Sequence, residues 1–562
     1  MAYLTETFTA WLHRVRNYRQ KLSTFEQIGF VLLLLIPCVE LITTFVPTLG
    51  RFGVILWIML WLYIAIFTVQ QAIALIRTSV RHRSPFALLA IGLFLYLLVT
   101  NIQSIYSING ENTQEITCAL GQLQNSSDWG YRQSCLFGYP TRQFIVPALP
   151  SLLFGNSLPA LNIGGAIYFI LGLILFCRGV QTYVEDFRKG DALILLIVGS
   201  LLHFYYVNHF LFIFEQSIFP LSFALIGCGI WLMYLRTKSS TYLIPLTLVL
   251  YACAFSYTPS IVLIPLSYGA ILWQTAEKNT HRFKMLGLAI VILTAIMVVC
   301  SFMFRSDIKL GHQYPGGAHT ALEEIWLAIK HLALHVYPRS FASWTMTPIF
   351  IILLIAPSLG LFGRIPQLVT LWCIGVFCIS VYAKGYTYYH IEFRMHRSIV
   401  LIPVLITLWV HLFNARRAHI PLALIILAAF GITISGIQNY KALQLSRPIS
   451  QQYKFIQWFI SQKISQHTTL YLLDAQTPKN NFLSIRDISQ YFLPHLTINN
   501  SDTLPDDCTM TDMQGIFLVQ ETNRCSNAIR QQLLQDNTLT FIATYEKITA
   551  EPLLVFSHKL QP

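Results

Sequence analysis

About thirteen long apolar runs, separated by short polar segments, fill most of the chain. They lie at 27–45, 52–76, 86–108, 160–177, 192–206, 210–234, 242–255, 258–273, 285–304, 346–362, 367–383, 398–413 and 420–437. A helix needs about 20 mostly apolar residues to cross a bilayer, and these runs fit that length. The pair between 242 and 273 is short and reads equally as two spans or one broken hairpin. Arg14, Arg16, Arg19 and Lys21 precede the first run, and no small-residue cleavage site follows it. That pattern reads as an uncleaved anchor.

The pattern changes after residue 437. Tyr453 to Ile464 has helical apolar spacing. Thr469–Leu473, Gly515–Val519, Leu539–Tyr545 and Leu553–Ser557 read as strands, with helices at Leu483–Phe492 and Ser526–Leu534 between them. The expected fold is therefore a polytopic α-helical membrane protein of about 13 spans with a small C-terminal α/β domain at 438–562. That domain has no glycine-rich phosphate loop and no CxxC.

Composition supports the membrane reading. Of 562 residues, 55% are hydrophobic and 11% charged, against about 25% charged in soluble proteins. So few charges cannot cover a water-facing surface of this size, and disordered, collagen-like and disulfide-scaffold classes are excluded too. The net charge of +13 lies wholly in residues 1–437, which hold 28 Lys/Arg and 15 Asp/Glu; residues 438–562 hold 10 of each. No basic stripe interleaves with aromatics on a polar domain, so nucleic acid is not an expected partner. Alternating the runs with the N-terminus inside puts 18 Lys/Arg in the inside segments and 10 in the outside ones. Basic residues favour the cytoplasmic side. The outer loops are then the long ones, 109–159, 305–345 and 384–397, and the C-terminal domain is extracytoplasmic.

Seven of the 11 cysteines fall in or at the ends of apolar runs, as small core residues do. The other four pair by region: Cys118 with Cys135, and Cys508 with Cys525. An oxidising compartment permits both disulfides.

Charges on the outer side are few. Glu111 and Glu115 follow the third run, Asp128 sits farther along the same loop, and Glu215 lies inside the run 210–234. An intramembrane carboxylate is costly and marks a functional position. Glu323 and Glu324 lie on an amphipathic stretch and read as water-facing. Loop 384–397 gathers Lys384, Arg394 and Arg397 among tyrosines and histidines. That mixture suits a lipid phosphate, with Arg as a bidentate partner; an aromatic belt with snorkelling arginines is the bland alternative. His312, His319, His331 and His335 show no recognised zinc spacing.

Three segments resemble GT-C-fold glycosyltransferases. Gly138-Tyr139-Pro140 and the run from Pro147-Ala148-Leu149-Pro150-Ser151-Leu152-Leu153-Phe154-Gly155-Asn156-Ser157 to Asn162 resemble the end of that family's first outer loop. Glu215-Gln216-Ser217-Ile218-Phe219 is similar to its second outer loop. Arg394 to Pro403 is similar to the late Arg-containing run that opens one of the last spans. The resemblance covers about 86–437. It assigns 1–85 to an N-terminal cytoplasmic segment with a two-span hairpin, and 86–437 to a GT-C-like core.

What the resemblance implies is transfer of a sugar from a polyprenyl-phosphate donor to an acceptor on the outer face of a bacterial inner membrane. The acceptor would be a lipid-linked glycan, lipid A or O-antigen, or a protein. Glu111 is then the expected base, Glu215 the second carboxylate and Asp128 the alternative base. Arg394, Arg397 and Lys384 would hold the donor phosphate. Assistance by a divalent metal, Mg or Mn, stays open. A surface-polysaccharide polymerase or ligase is the second reading. A transporter is the third, and lacks paired inverted halves in the hydropathy pattern.

Overall fold

A computed structural model describes residues 23–46, 50–102, 110–125, 142–203, 218–254, 401–415 and 421–446, and in the C-terminal part residue 457, residues 491–493 and five strands between 469 and 558. Among the described residues the chain forms α1 (Thr24–Phe45), α2 (Gly50–His82), α3 (Phe86–Asn101), α4 (Gly110–Asn125), α5 (Arg142–Phe154), α6 (Leu158–Tyr183), α7 (Phe187–Leu201), α8 (Ile218–Thr237), α9 (Leu243–Ala254), α10 (Leu401–Ala415) and α11 (Leu422–Ser446). Nine of these match apolar runs in the sequence. The runs at 258–273, 285–304, 346–362 and 367–383 lie outside the described residues.

Local chemistry starts these helices. Ser23 caps α1 in a capping box: the Glu26 amide donates to its hydroxyl at 3.3 Å, and its own amide donates to the Glu26 carboxylate at 2.8 Å. Ser157 caps α6, with Pro159 following, and Asp186 caps α7 by accepting from the Arg188 and Lys189 amides.

The surface of α2 shows what surrounds it. Phe52, Ile55, Met59, Leu62, Ile66, Val69, Ile73, Ile76 and Val80 are all exposed, at steps of three and four along the whole helix. The opposite stripe, with Val54, Trp57, Trp61, Ile64 and Phe67, is buried. A helix that hides one apolar face and exposes another is built for lipid, where exposed hydrocarbon costs nothing. Helices α2 and α6, of 33 and 26 residues, are each long and apolar enough to span a membrane.

The bundle is held by close backbone approach. A Cβ on Gly229 of α8 would lie 2.4 Å from the Leu175 carbonyl oxygen of α6, and one on Gly179 would lie 2.4 Å from the Gly229 oxygen. Helices α7 and α11, far apart in sequence, meet the same way, with Gly199 against Thr433 and Gly436 against the Gly199 carbonyl. Small residues are what lets helices pack in a medium that offers no hydrophobic drive between them.

The C-terminal strands are β1 (Thr469–Leu473), β2 (Thr497–Ser501), β3 (Ile516–Gln520), β4 (Leu539–Tyr545) and β5 (Leu553–His558). They form one mixed sheet in the order β2-β1-β3-β5-β4. β1 runs parallel to β2 and β3, whereas β5 is antiparallel to β3 and β4. Four of these strands match the sequence expectation within a residue. β2 was not expected, because Thr-Ile-Asn-Asn-Ser has weak strand propensity; its pairing with β1 supplies what propensity does not. Of the three expected C-terminal helical segments, only Gln457, Tyr491 and Phe492 are among the described residues, and all three are helical.

Candidate functional site

The first long loop folds into two helices, α4 and α5, which the apolar pattern did not pick out. The third span, expected to run to 108, closes at Asn101 in the described residues. The Asn162 side-chain amide reaches across from α6 to the carbonyl of Ile102, just past that end, at 2.8 Å. Glu111 therefore does not continue the span; it stands in the first turn of α4.

Helix α4 buries Thr113, Glu115, Ile116, Ala119 and Leu120. Glu115 is one turn after Glu111 on α4, so the two positions share one helix face. Cys118 on the same helix is disulfide-bonded, whereas Cys38, Cys177, Cys228 and Cys253 are not.

Helix α5 carries two internal prolines, Pro147 and Pro150, which hid it from pattern reading. Proline has no N–H to donate to the carbonyl four residues back. At Pro147 that carbonyl belongs to Gln143, and it accepts instead from the Tyr168 hydroxyl of α6 at 3.1 Å. The helix survives because a neighbour replaces the missing bond. Gly164 of α6 makes the approach possible, since a Cβ there would lie 2.1 Å from the Pro147 oxygen.

The N-terminal turn of α5 is buried although polar. Arg142 donates to the Gly50 carbonyl at the start of α2 at 3.5 Å. The Gln143 side chain is fully buried, and neither end of its amide has a hydrogen-bond partner among the described residues. Beneath it lies an aromatic nest. Tyr168 lies against Trp61 with centroids 4.3 Å apart and the rings tilted by 44°, and meets Phe219 and Phe223 edge-on; Phe144 meets Phe219 edge-on. This rigid floor joins α2, α5, α6 and α8 under the loop.

The far end of α5 docks the C-terminal part. The Tyr491 phenol is buried, 2.8 Å from the Ser151 hydroxyl and donating to the Ser157 carbonyl at 3.2 Å. The run Pro150 to Ser157, singled out in the sequence, is thus where Tyr491 of the C-terminal part meets the bundle.

The two helices pack against each other and carry Glu111 in the first turn of α4, Glu115 and Cys118 farther along it, and Arg142 and Gln143 at the start of α5. Asp128, Cys135, Glu215, Lys384, Arg394, Arg397, Cys508 and Cys525 lie outside the described residues. Sequence reasoning named Glu115 without giving it a role and did not weigh Arg142 or Gln143. The signal for Glu115 was present, since Thr113, Ile116, Leu120 and Leu123 recur with helical spacing. Among the described residues no group of three or more His, Cys, Asp or Glu side chains could hold a metal ion.

The comparison with solved structures assigns this helical bundle to the GT-C fold. Among solved structures the chain is similar to ArnT from Cupriavidus metallidurans bound to undecaprenyl phosphate. The TM-score is 0.51 at 12% identity, over 84% of this chain and 97% of that one. The apo structure of the same protein gives 0.49 at 12%, over 83% and 97%. No protein-family model matches the sequence, and no curated protein matches it.

Proposed function

We propose that this chain is a membrane glycosyltransferase that moves a sugar from a polyprenyl-phosphate donor to an acceptor on the outer face. The observation that carries the reading is the shared fold, over 97% of a protein captured with undecaprenyl phosphate. Buried polar residues in the first outer loop support it.

The chemistry asked of the site is simple to balance. An acceptor hydroxyl attacks the anomeric carbon, and the new C–O bond forms as the bond to the phosphate oxygen breaks. The hydroxyl proton goes to a carboxylate base, and polyprenyl phosphate leaves with the electron pair, its charge met by cations. Glu111 is the proposed base and Asp128 the alternative. Glu215 is proposed to orient the acceptor. Arg394, Arg397 and Lys384 are proposed to hold the phosphate. The segment 438–562, read as an extracytoplasmic α/β domain, would shape the acceptor side, and Cys118 is proposed to pair with Cys135.

The deciding experiment gives purified protein a radiolabelled polyprenyl-phosphate sugar with a candidate glycan or protein acceptor. Donor consumption with release of polyprenyl phosphate is expected. Consumption of a polyprenyl-diphosphate oligosaccharide in its place would move the protein to the polymerase or ligase class. Arg397→Lys keeps the charge but loses the planar fork, so it should still weaken the donor.

A further inference from the structure

The end of the bundle opposite the candidate site carries an unexplained feature. Arg77, Arg81 and Arg83 lie at the end of α2 and just past it, and Arg188 and Lys189 open α7. None of the five makes an ion pair among the described residues. The nearby acids are committed elsewhere. Glu185 pairs with Arg236 at 3.2 Å, and Asp186 caps α7. Asp191 is buried, accepting from the Ser84 hydroxyl at 2.6 Å and from the Phe86 amide at 2.9 Å.

These contacts also fix the two segments together. The Ser84–Asp191 bond ties the α2–α3 turn to α7, and the His82 ring stacks on Phe187 with centroids 4.3 Å apart. The cations are therefore presented on a preformed edge. Arg83 adds a second observation. Its φ is 51°, the left-handed conformation that closes α2, with the Arg83 amide bonded to the Val80 carbonyl and the Ser84 amide to that of Ser79. Glycine suits that position at a helix end, and a side chain there is strained. A cation stands there all the same.

The edge adjoins hydrocarbon. Ile73, Ile76 and Val80 lead down the exposed stripe of α2 to it, with Val80 66% exposed. A ligand that presents acyl chain to the stripe and negative charge to the cations matches both halves.

We propose that this junction binds the headgroup of an anionic glycerophospholipid, with a dianionic diphosphatidylglycerol preferred over a monoanionic one. Basic pockets between membrane helices are suited to such headgroups. The proposal uses none of the residues assigned to the donor above and needs no assumption about them.

The test is native mass spectrometry of the full chain in detergent, titrated separately with diphosphatidylglycerol, phosphatidylglycerol and phosphatidylcholine. Diphosphatidylglycerol is expected to bind at one saturable site, at least tenfold more tightly than phosphatidylcholine. R81Q/R83Q/R188Q/K189Q should erase that preference, at about fivefold per cation removed. Arg83→Gly removes one cation while suiting the backbone, so it should fold at least as well and lose about fivefold. Equal binding of phosphatidylcholine, an unchanged preference in either variant, or displacement of the lipid by millimolar inorganic phosphate would each overturn the proposal.

Discussion

The hydroxyl of Tyr491 sits 2.8 Å from that of Ser151, 340 positions earlier in the chain. Because Tyr491 donates its proton to the Ser157 carbonyl, the Ser151 hydroxyl is the donor between the two. One phenol thus closes both the end of α5 and the turn into α6.

Tyr491→Phe should leave the buried Ser151 hydroxyl and the half-buried Ser157 carbonyl without this partner, at a cost of about 1–3 kcal/mol. Limited proteolysis should then release the C-terminal part faster than from wild type. Burial pushes the Tyr491 phenol up to about 12 from an ordinary 10. A raised phenol favours the folded state while neutral, so its contribution is complete below pH 10. It should fade as pH rises from there to about 12. Thermal stability of Tyr491→Phe against wild type across that range checks the sign, because the gap should narrow on the alkaline side.

Asp191→Ala should be among the most damaging changes at the opposite end of the bundle. It strands the buried Ser84 hydroxyl and removes the acceptor of the Phe86 amide and of Gln181. The expected loss is about 1–3 kcal/mol, the cost of leaving buried donors without their acceptor. Asp191→Asn keeps one acceptor oxygen and should lose less. Melting temperatures of the two variants in detergent rank them, and equal values would remove the network from the account of stability.

Gly229→Ala and Gly227→Ala differ by two positions and should differ in outcome. The first puts a Cβ 2.4 Å from the Leu175 carbonyl oxygen, backbone against backbone, so α6 and α8 must separate. The second meets only the Val249 Cγ1 at 4.0 Å. Gly229→Ala should reduce the yield of monodisperse protein sharply, and Gly227→Ala should leave it near wild type. Size-exclusion profiles of the two suffice.

Glu111→Gln, Glu115→Gln and Glu215→Gln separate catalysis from architecture. Loss of a general base typically lowers turnover by about 10²–10⁴. Glu111→Gln should show that loss with donor binding and melting temperature unchanged. Glu115 is buried, so Glu115→Gln should move the melting temperature first. Full activity in Glu111→Gln, with loss in Asp128→Asn, would transfer the role to Asp128. Activity retained in all of them would count against the glycosyltransferase reading.

The sequence by itself determined the class of molecule. Nine apolar runs became helices close to the expected places, because in hydrocarbon every backbone group must be satisfied within its own segment. Four strands were legible from β-branched and aromatic runs. Tertiary structure decided the rest. Helix α5 contains two prolines and holds together because Tyr168 serves the carbonyl that Pro147 leaves open. The strand Thr497–Ser501 exists through its partner Thr469–Leu473. Glu115 is buried by the packing of α4 into the fold, and Ser151 meets Tyr491 across most of the chain. Periodicity reports what one segment can satisfy alone. Where a hydrogen bond or a buried face must come from a distant residue, only the assembled fold supplies it.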